Sequence, residues 1–225
     1  MAFRLSTNRE RSLIVSYLAM RRLIGILGIL LPIVVVFGGF TQGEPTLQGS
    51  ISGYYYTNMR DFFVGILSGV ALFLISYKGY ERIDDIVVNM SGVFAMGMIL
   101  FPTAMYSGRT VRVGIFLIDD GVSGTIHLIF GTLFFLALSY NSIFLFTRRH
   151  PGVMGKEKKR RNMIYRACGI VMLLAILFIT IYTLFLRETF LASSNPVLIL
   201  ESVALLAFGV SWLVKGNTLF KDKPV

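Results

Sequence analysis

The stretch Ala167–Leu186, ACGIVMLLAILFITIYTLFL, runs for twenty residues without one charged side chain. A helix needs about 20 apolar residues to cross the hydrocarbon of a bilayer, with roughly 17 to 25 tolerated. Lipid offers backbone amides no partners, so a run of this kind must satisfy them within itself as a helix. Reading outward, the same pattern recurs at Leu23–Phe40, Phe62–Tyr77, Ile86–Met105, Val122–Thr147 and Pro196–Leu213. The second of these is short, but Lys78 can snorkel and Asp61 can sit at head-group level. Ser194 and Asn195 precede Pro196 as caps before a proline at the first helical position. The expected fold is all-α: a polytopic bundle of six transmembrane helices. Residues 1–22 are read as a cytoplasmic or interfacial N-terminal segment, 23–214 as the transmembrane domain and 215–225 as a cytoplasmic tail.

Composition agrees. Of 225 residues, 55% are hydrophobic and only 15% charged, where soluble chains carry about 25% charged residues. A soluble enzyme, a disordered chain and a disulfide scaffold are excluded. The single cysteine, Cys168, can form neither an internal disulfide nor a cysteine metal cluster. No small-residue cleavage signature follows the first apolar run, so that run is expected to be retained.

The formal charge of +10 is unevenly placed. With six spans, eighteen of the 22 basic residues fall on one side, and Arg60, Arg109, Arg112 and Arg187 on the other. The positive-inside rule makes the basic side the cytoplasm and puts both termini there. The segment Ser12–Met20 is apolar and ends at Arg21–Arg22; it is read as the start of one bent or interrupted first helix. The loop RRHPGVMGKEKKRRN lacks aromatic interleaving or a nucleic-acid module, so attraction to anionic lipid explains it and nucleic acid is not an expected partner. No phosphate-loop or dinucleotide motif is present. Nor is there a strong internal repeat of the kind many transporters carry.

Among the recurring glycines, only Gly65-x-x-x-Gly69 has the spacing that lets helices approach closely. Pro32 and Pro102 are expected to kink their spans. Asn89, Ser91, Ser139, Tyr140 and Asn141 are read as polar contacts facing the bundle.

The outer side carries the candidate site. Tyr54, Tyr55 and Tyr56 are either head-group anchors or ligand contacts. Arg60 and Asp61 form a rim pair, with the acid at a helix start. Asp119 and Asp120 either cap the fourth span or bind a cation. His127, a short way into that span, is a proton shuttle, a ligand or an interhelical hydrogen-bonding group. Glu201 is the one acid well within a span. It is read as a proton relay or ligand contact, or as packing glue paired with Tyr182, His127 or an arginine. Arg60, Asp61, Asp119, Asp120 and His127 are expected to converge. His150 lies in the basic loop, so the two histidines cannot share a metal. With no HExxH motif, no metal or other cofactor is expected.

Five segments in order, YLAMRRLIGILGILLP, SISGYYYTNMRDFFVGILSG, SYKGYERIDD, GMILFPT and HLIFGTLFFLALSYNSIFLFT, resemble a bacterial membrane-protein family known only as a domain of unknown function. The likeness spans Tyr17 to Thr147, and YYYTNMRDFFVG is its most specific part. The layout is similar to that of the DRAM-like six-span group. More weakly, it resembles the ceramidase and adiponectin-receptor class of membrane hydrolases, whose metal set of several histidines and an aspartate is matched here on the outer side by His127 alone. The resemblance implies a multi-pass protein of a bacterial cytoplasmic membrane. The expected function is an outward-facing polar pocket for a lipid head group or small molecule, serving sensing, envelope upkeep or transport. The alternatives are an intramembrane hydrolase using His127 with the outer aspartates, and a proton-coupled carrier or channel using Glu201. Membrane lipids are the expected partners, together with a second copy in a homo-oligomer.

Overall fold

The computed structural model describes residues 2–41, 43, 47–79, 81–105, 111–148, 155–186, 189 and 194–218. Arg109, His150, Arg187 and the tail beyond 218 lie outside them. Six α-helices follow one another: α1 Ala2–Thr41, α2 Arg60–Ile75, α3 Arg82–Leu100, α4 Asp120–Tyr140, α5 Lys156–Ile181 and α6 Pro196–Lys215. One π turn, Asn141–Leu145, extends α4, and another, Tyr182–Leu186, extends α5. Five helices are long and apolar enough to cross a membrane: Ser16–Thr41 of α1, α3, Asp120–Leu145, Lys156–Leu186 and α6. The 16-residue α2 is shorter than these.

The helices close into a ring. Each packs on its neighbours in sequence, and α6 returns to pack on α1. Two close approaches hold this seam. A Cβ on Gly25 would stand 2.8 Å from the Gly209 carbonyl oxygen, and one on Gly209 would stand 2.6 Å from that of Gly25. Only glycine lets the two backbones come so near. The spacing argument pointed elsewhere and is corrected: a Cβ on Gly65 would meet nothing within 4 Å, and one on Gly69 would meet only the end of Leu27. A four-residue interval marks one stripe of a helix, but not whether that stripe faces protein or lipid.

The helix ends follow local chemistry. Proline disfavours helical geometry in the residue before it; Phe101, at φ −115° and ψ 90°, ends α3 ahead of Pro102. Pro102 is thus a terminator, not a kink inside the span. Pro32 stays within α1, which runs for 40 residues, about 60 Å, without a break at Arg21–Arg22. The expected interruption is absent because Arg21 is accommodated inside the protein. Its Nη2 donates to the Tyr17 hydroxyl at 2.8 Å and the Tyr77 hydroxyl at 3.0 Å, and its Nη1 to the Lys215 carbonyl at 3.3 Å. With its side-chain nitrogen turned toward α2, Asn89 on α3 comes within hydrogen-bonding reach of the Leu74, Ile75 and Tyr77 carbonyls at the end of that helix. Ser91, Ser139 and Asn141 are buried as expected, whereas Tyr140 is exposed and faces outward.

The core is mostly aromatic and aliphatic. Trp212, Phe208, Phe134, Tyr54, Leu31 and Leu67 are each at most 2% exposed. At the basic end, Trp212 meets Tyr77 and Phe146 edge to face, with centroids 5.1 and 5.2 Å apart. At the other end two connections fold back over the bundle. A two-stranded hairpin, β1 Arg112–Val113 and β2 Ile118–Asp119, leads into α4. The α1–α2 connection carries a 3-10 turn, Ser52–Tyr56, that enters the ring.

Candidate functional site

The 3-10 turn is a plug. Ile51, Ser52, Tyr54 and Tyr55 are all buried, Tyr54 at 1% exposure. A run read as head-group anchoring is therefore partly core: Tyr54 points into the bundle. Burying a turn strips its amides of water, and each needs a partner. Gly49 accepts from the Leu198 amide at the start of α6 at 3.1 Å. Glu201, one turn further along α6, accepts from the Ile51 amide at 2.6 Å, and the Ser52 amide donates to the same carboxylate. Glu201 is thus satisfied by the plug's backbone, not by Tyr182, His127 or an arginine, the packing partners the sequence offered.

His127 completes the network from α4. Its Nδ1 lies 3.0 Å from the Met98 carbonyl oxygen and 2.8 Å from that of Phe101, both at the end of α3. Two carbonyls can only accept, so Nδ1 carries the proton. Nε2 then accepts from the Ser52 hydroxyl at 2.9 Å. Ser52 therefore links α6 to α4: its amide meets Glu201 and its hydroxyl meets His127. Beneath it lies a cavity of about 30 Å³, bordered by Glu201, Ser52 and apolar groups including Leu31, Phe63, Met98 and Phe134. That volume holds one or two waters.

Above the plug sits a second layer. The Arg60 guanidinium lies 4.4 Å from the Tyr55 ring centroid, and its Nη2 donates to the Tyr55 hydroxyl at 2.8 Å. Tyr56 meets Tyr55 edge to face and donates to the Thr103 carbonyl at 2.6 Å. Burial, helped by Tyr55 and Asp120 and opposed by Arg60, pushes the Tyr56 phenol up to about 12. The proton it donates is thus held more tightly than in an unfolded chain, where such a phenol titrates near about 10. The stability this lends is complete below the unfolded value and is lost as pH climbs through 12. Tyr56→Phe should therefore flatten the fall in melting temperature between about pH 10 and 12; an unchanged alkaline limb would show that burial does not raise the Tyr56 phenol in the folded protein.

The three outer aspartates each have a local role. Asp119 caps α4, its Oδ1 accepting from the Gly121 and Val122 amides at 2.9 and 3.3 Å. Asp120 is buried and accepts from the Met105 amide at 3.3 Å. Asp61 is exposed in the first turn of α2, where an acid complements the helix dipole. Among the described residues, neither Arg60 nor His127 makes an ion pair with these aspartates; the ion pairs there, Lys78–Asp85, Arg148 with Glu81 and Asp84, and Arg160–Glu157, all lie away from the plug. Nor does any group of three or more His, Cys, Asp or Glu among the described residues stand close enough to hold a metal. Ser52 escaped notice because a serine in a polar loop carries no sequence signal of burial.

No protein-family model, curated protein or solved structure matches the chain.

Proposed function

We propose that the chain is a six-span protein of a bacterial cytoplasmic membrane, with both termini in the cytoplasm, whose outward end binds a lipid head group or small anionic molecule. The sixth span is α2: at about 24 Å it is short, but it packs between α1 and α3 in a closed ring, and Arg60 and Lys78 flank it to snorkel. The orientation rests on eighteen of 22 basic residues falling inside. Cysteines placed at Gln48, Gly155 and Asp222 in a Cys168→Ser background test it. Only position 48 should label from outside intact cells; labelling at 155 overturns the topology.

The binding reading is carried by one observation: an exposed guanidinium is held in a fixed pose over a buried tyrosine, on a plug pinned from below by Glu201 and His127. Such an arginine is already oriented and can engage a phosphate or carboxylate in a bidentate manner. In lipid nanodiscs, native mass spectrometry should find anionic lipid retained by the wild type. Arg60→Ala should weaken that retention about fivefold, the scale of one near-surface cation, while Arg112→Ala on the exposed hairpin should do less. Equal losses from the two would remove the case for a site at Arg60.

A second reading, a proton-coupled carrier or channel, draws on the cavity beside Glu201. Its signature is proton uptake into liposomes that Glu201→Gln abolishes. The hydrolase reading draws less support, because both ring nitrogens of His127 are engaged.

A further inference from the structure

The hairpin leading into α4 turns on an apolar tip. Its strands, Arg112–Val113 and Ile118–Asp119, are joined by Gly114, Ile115, Phe116 and Leu117, and the Leu117 amide donates to the Gly114 carbonyl at 3.4 Å. Turns that face water draw on Gly, Pro, Asn, Asp and Ser. This one instead presents three large apolar side chains, with Ile115, Phe116 and Leu117 exposed by 74%, 55% and 64%. Leu117 also has φ +49°, a left-handed conformation that glycine or asparagine takes more readily. Neither choice suits a loop in water.

The tip lies along the flank of the bundle. A Cβ on Gly114, which has φ +70°, would stand 2.9 Å from Pro102 Cδ and 3.1 Å from the Leu100 carbonyl oxygen. The turn is thus pressed against the end of α3. The Phe116 ring stacks on Phe101 with centroids 5.2 Å apart, Phe101 stacks on Phe130 at 6.1 Å, and Phe130 meets Phe94 at 6.3 Å. This run of rings leads from the hairpin down the α3–α4 face. His127 fixes its depth: Nδ1 meets the Phe101 carbonyl seven residues along α4 from Asp120, about 10 Å along the axis. At that level α3 and α4 themselves expose Leu100, Leu128 and Ile129, and both helices are long and apolar enough to cross a membrane.

We propose that the hairpin dips Ile115, Phe116 and Leu117 into the acyl chains of the leaflet on the plug's side, so that membrane lipid is the partner of this tip. The case is continuity. The tip extends an apolar surface that the two helices already present to lipid, and a contiguous exposed apolar patch marks a protein or membrane contact. Three side chains are too little surface for a stable protein partner, which needs about 800 Å² from each side. The insertion has a use. Asp119 caps α4, and the Asp120 amide donates to the Val111 carbonyl at 2.9 Å. A tip held in lipid therefore fixes the depth at which α4 begins, and with it His127. The proposal rests on α3 and α4 lying in a bilayer, not on Arg60 or on the direction of the chain.

The full chain, with Cys168→Ser and one introduced cysteine, is labelled with the fluorophore NBD in phosphatidylcholine nanodiscs, whose two faces are both open to solutes. Ile115→Cys and Leu117→Cys probe the tip and leave the Phe116 stack intact. Leu128→Cys, exposed on the shaft of α4, is the reference for lipid, and Gly155→Cys, exposed ahead of α5, is the reference for water. A nitroxide on the lipid acyl chain near the head group should remove most of the emission at 115 and 117, as at 128, and little at 155. Iodide in the water should do the reverse. Both tip positions must respond. Iodide quenching at either one as strong as at 155 would place the tip in water and overturn the proposal. Shielding from both quenchers would overturn it too, since the tip would then be covered by protein, a second copy included. Arg60→Ala, which tests the outward site, should leave the quenching unchanged, so either proposal can fail alone.

Discussion

Gly209→Ala should lower the stability of the folded bundle by about 3 kcal/mol, the upper end of the cost of overpacking. The new methyl would stand 2.6 Å from the Gly25 carbonyl oxygen, 2.5 Å from Ile29 Cγ1 and 3.1 Å from the Ile29 amide nitrogen. Two of these obstacles are backbone, so no rotamer change relieves the clash; α1 and α6 must separate. The ring closes at that seam, which carries Glu201, the residue that holds the plug, at one end and the Arg21–Lys215 contact at the other. Gly65→Ala is the matched comparison. Its methyl enters open space, and alanine is the better helix former by roughly 1 kcal/mol, so stability should hold or rise. Thermal unfolding of both variants in one detergent decides the matter. Equal effects would mean that the α1–α6 contact is not the close one.

Glu201→Leu should cost about 3 kcal/mol, at the top of the range for leaving buried donors without acceptors. It would also release the plug. The Ile51 and Ser52 amides would lose the carboxylate they share, and an apolar side chain offers them nothing. Glu201→Gln keeps an acceptor oxygen and should cost less than half as much. Hydrogen exchange gives the more specific readout. In the leucine variant, amides from Gly49 to Tyr56 should lose protection while the centres of α3 and α5 keep theirs. If the plug stays protected, Glu201 is not what holds it. If the glutamine variant opens as far as the leucine one, the interaction depends on charge and not on the acceptor.

The two ends of the bundle show why some of this was legible in the sequence and some was not. Helix existence was legible because hydrophobic run length is a one-dimensional quantity. The predicted spans at 23–40 and 196–213 fall inside α1 and α6, and Pro196 sits at the first position of its helix as its chemistry requires. The cap at Asp119 was among the alternatives because capping reaches only two or three residues along the chain. His127 and Glu201 stood out because an ionisable group in an apolar run must have a partner.

Their partners were another matter. Ser52 lies 75 positions from His127, and Ile51 lies 150 from Glu201. Nothing in either local pattern signals that a polar, tyrosine-rich loop turns inward. The same holds for Arg21, which looked like the boundary of a span until Tyr77 and the Lys215 carbonyl were seen beside it. Hydropathy along the chain selects a set of apolar helices, most of them long enough to cross a membrane, because that depends on what each segment meets as solvent. Which helices neighbour one another, which glycines face protein, and which loop becomes a plug depend on contacts between segments far apart. Those are settled by which packing brings buried amides, hydroxyls and charges to their partners.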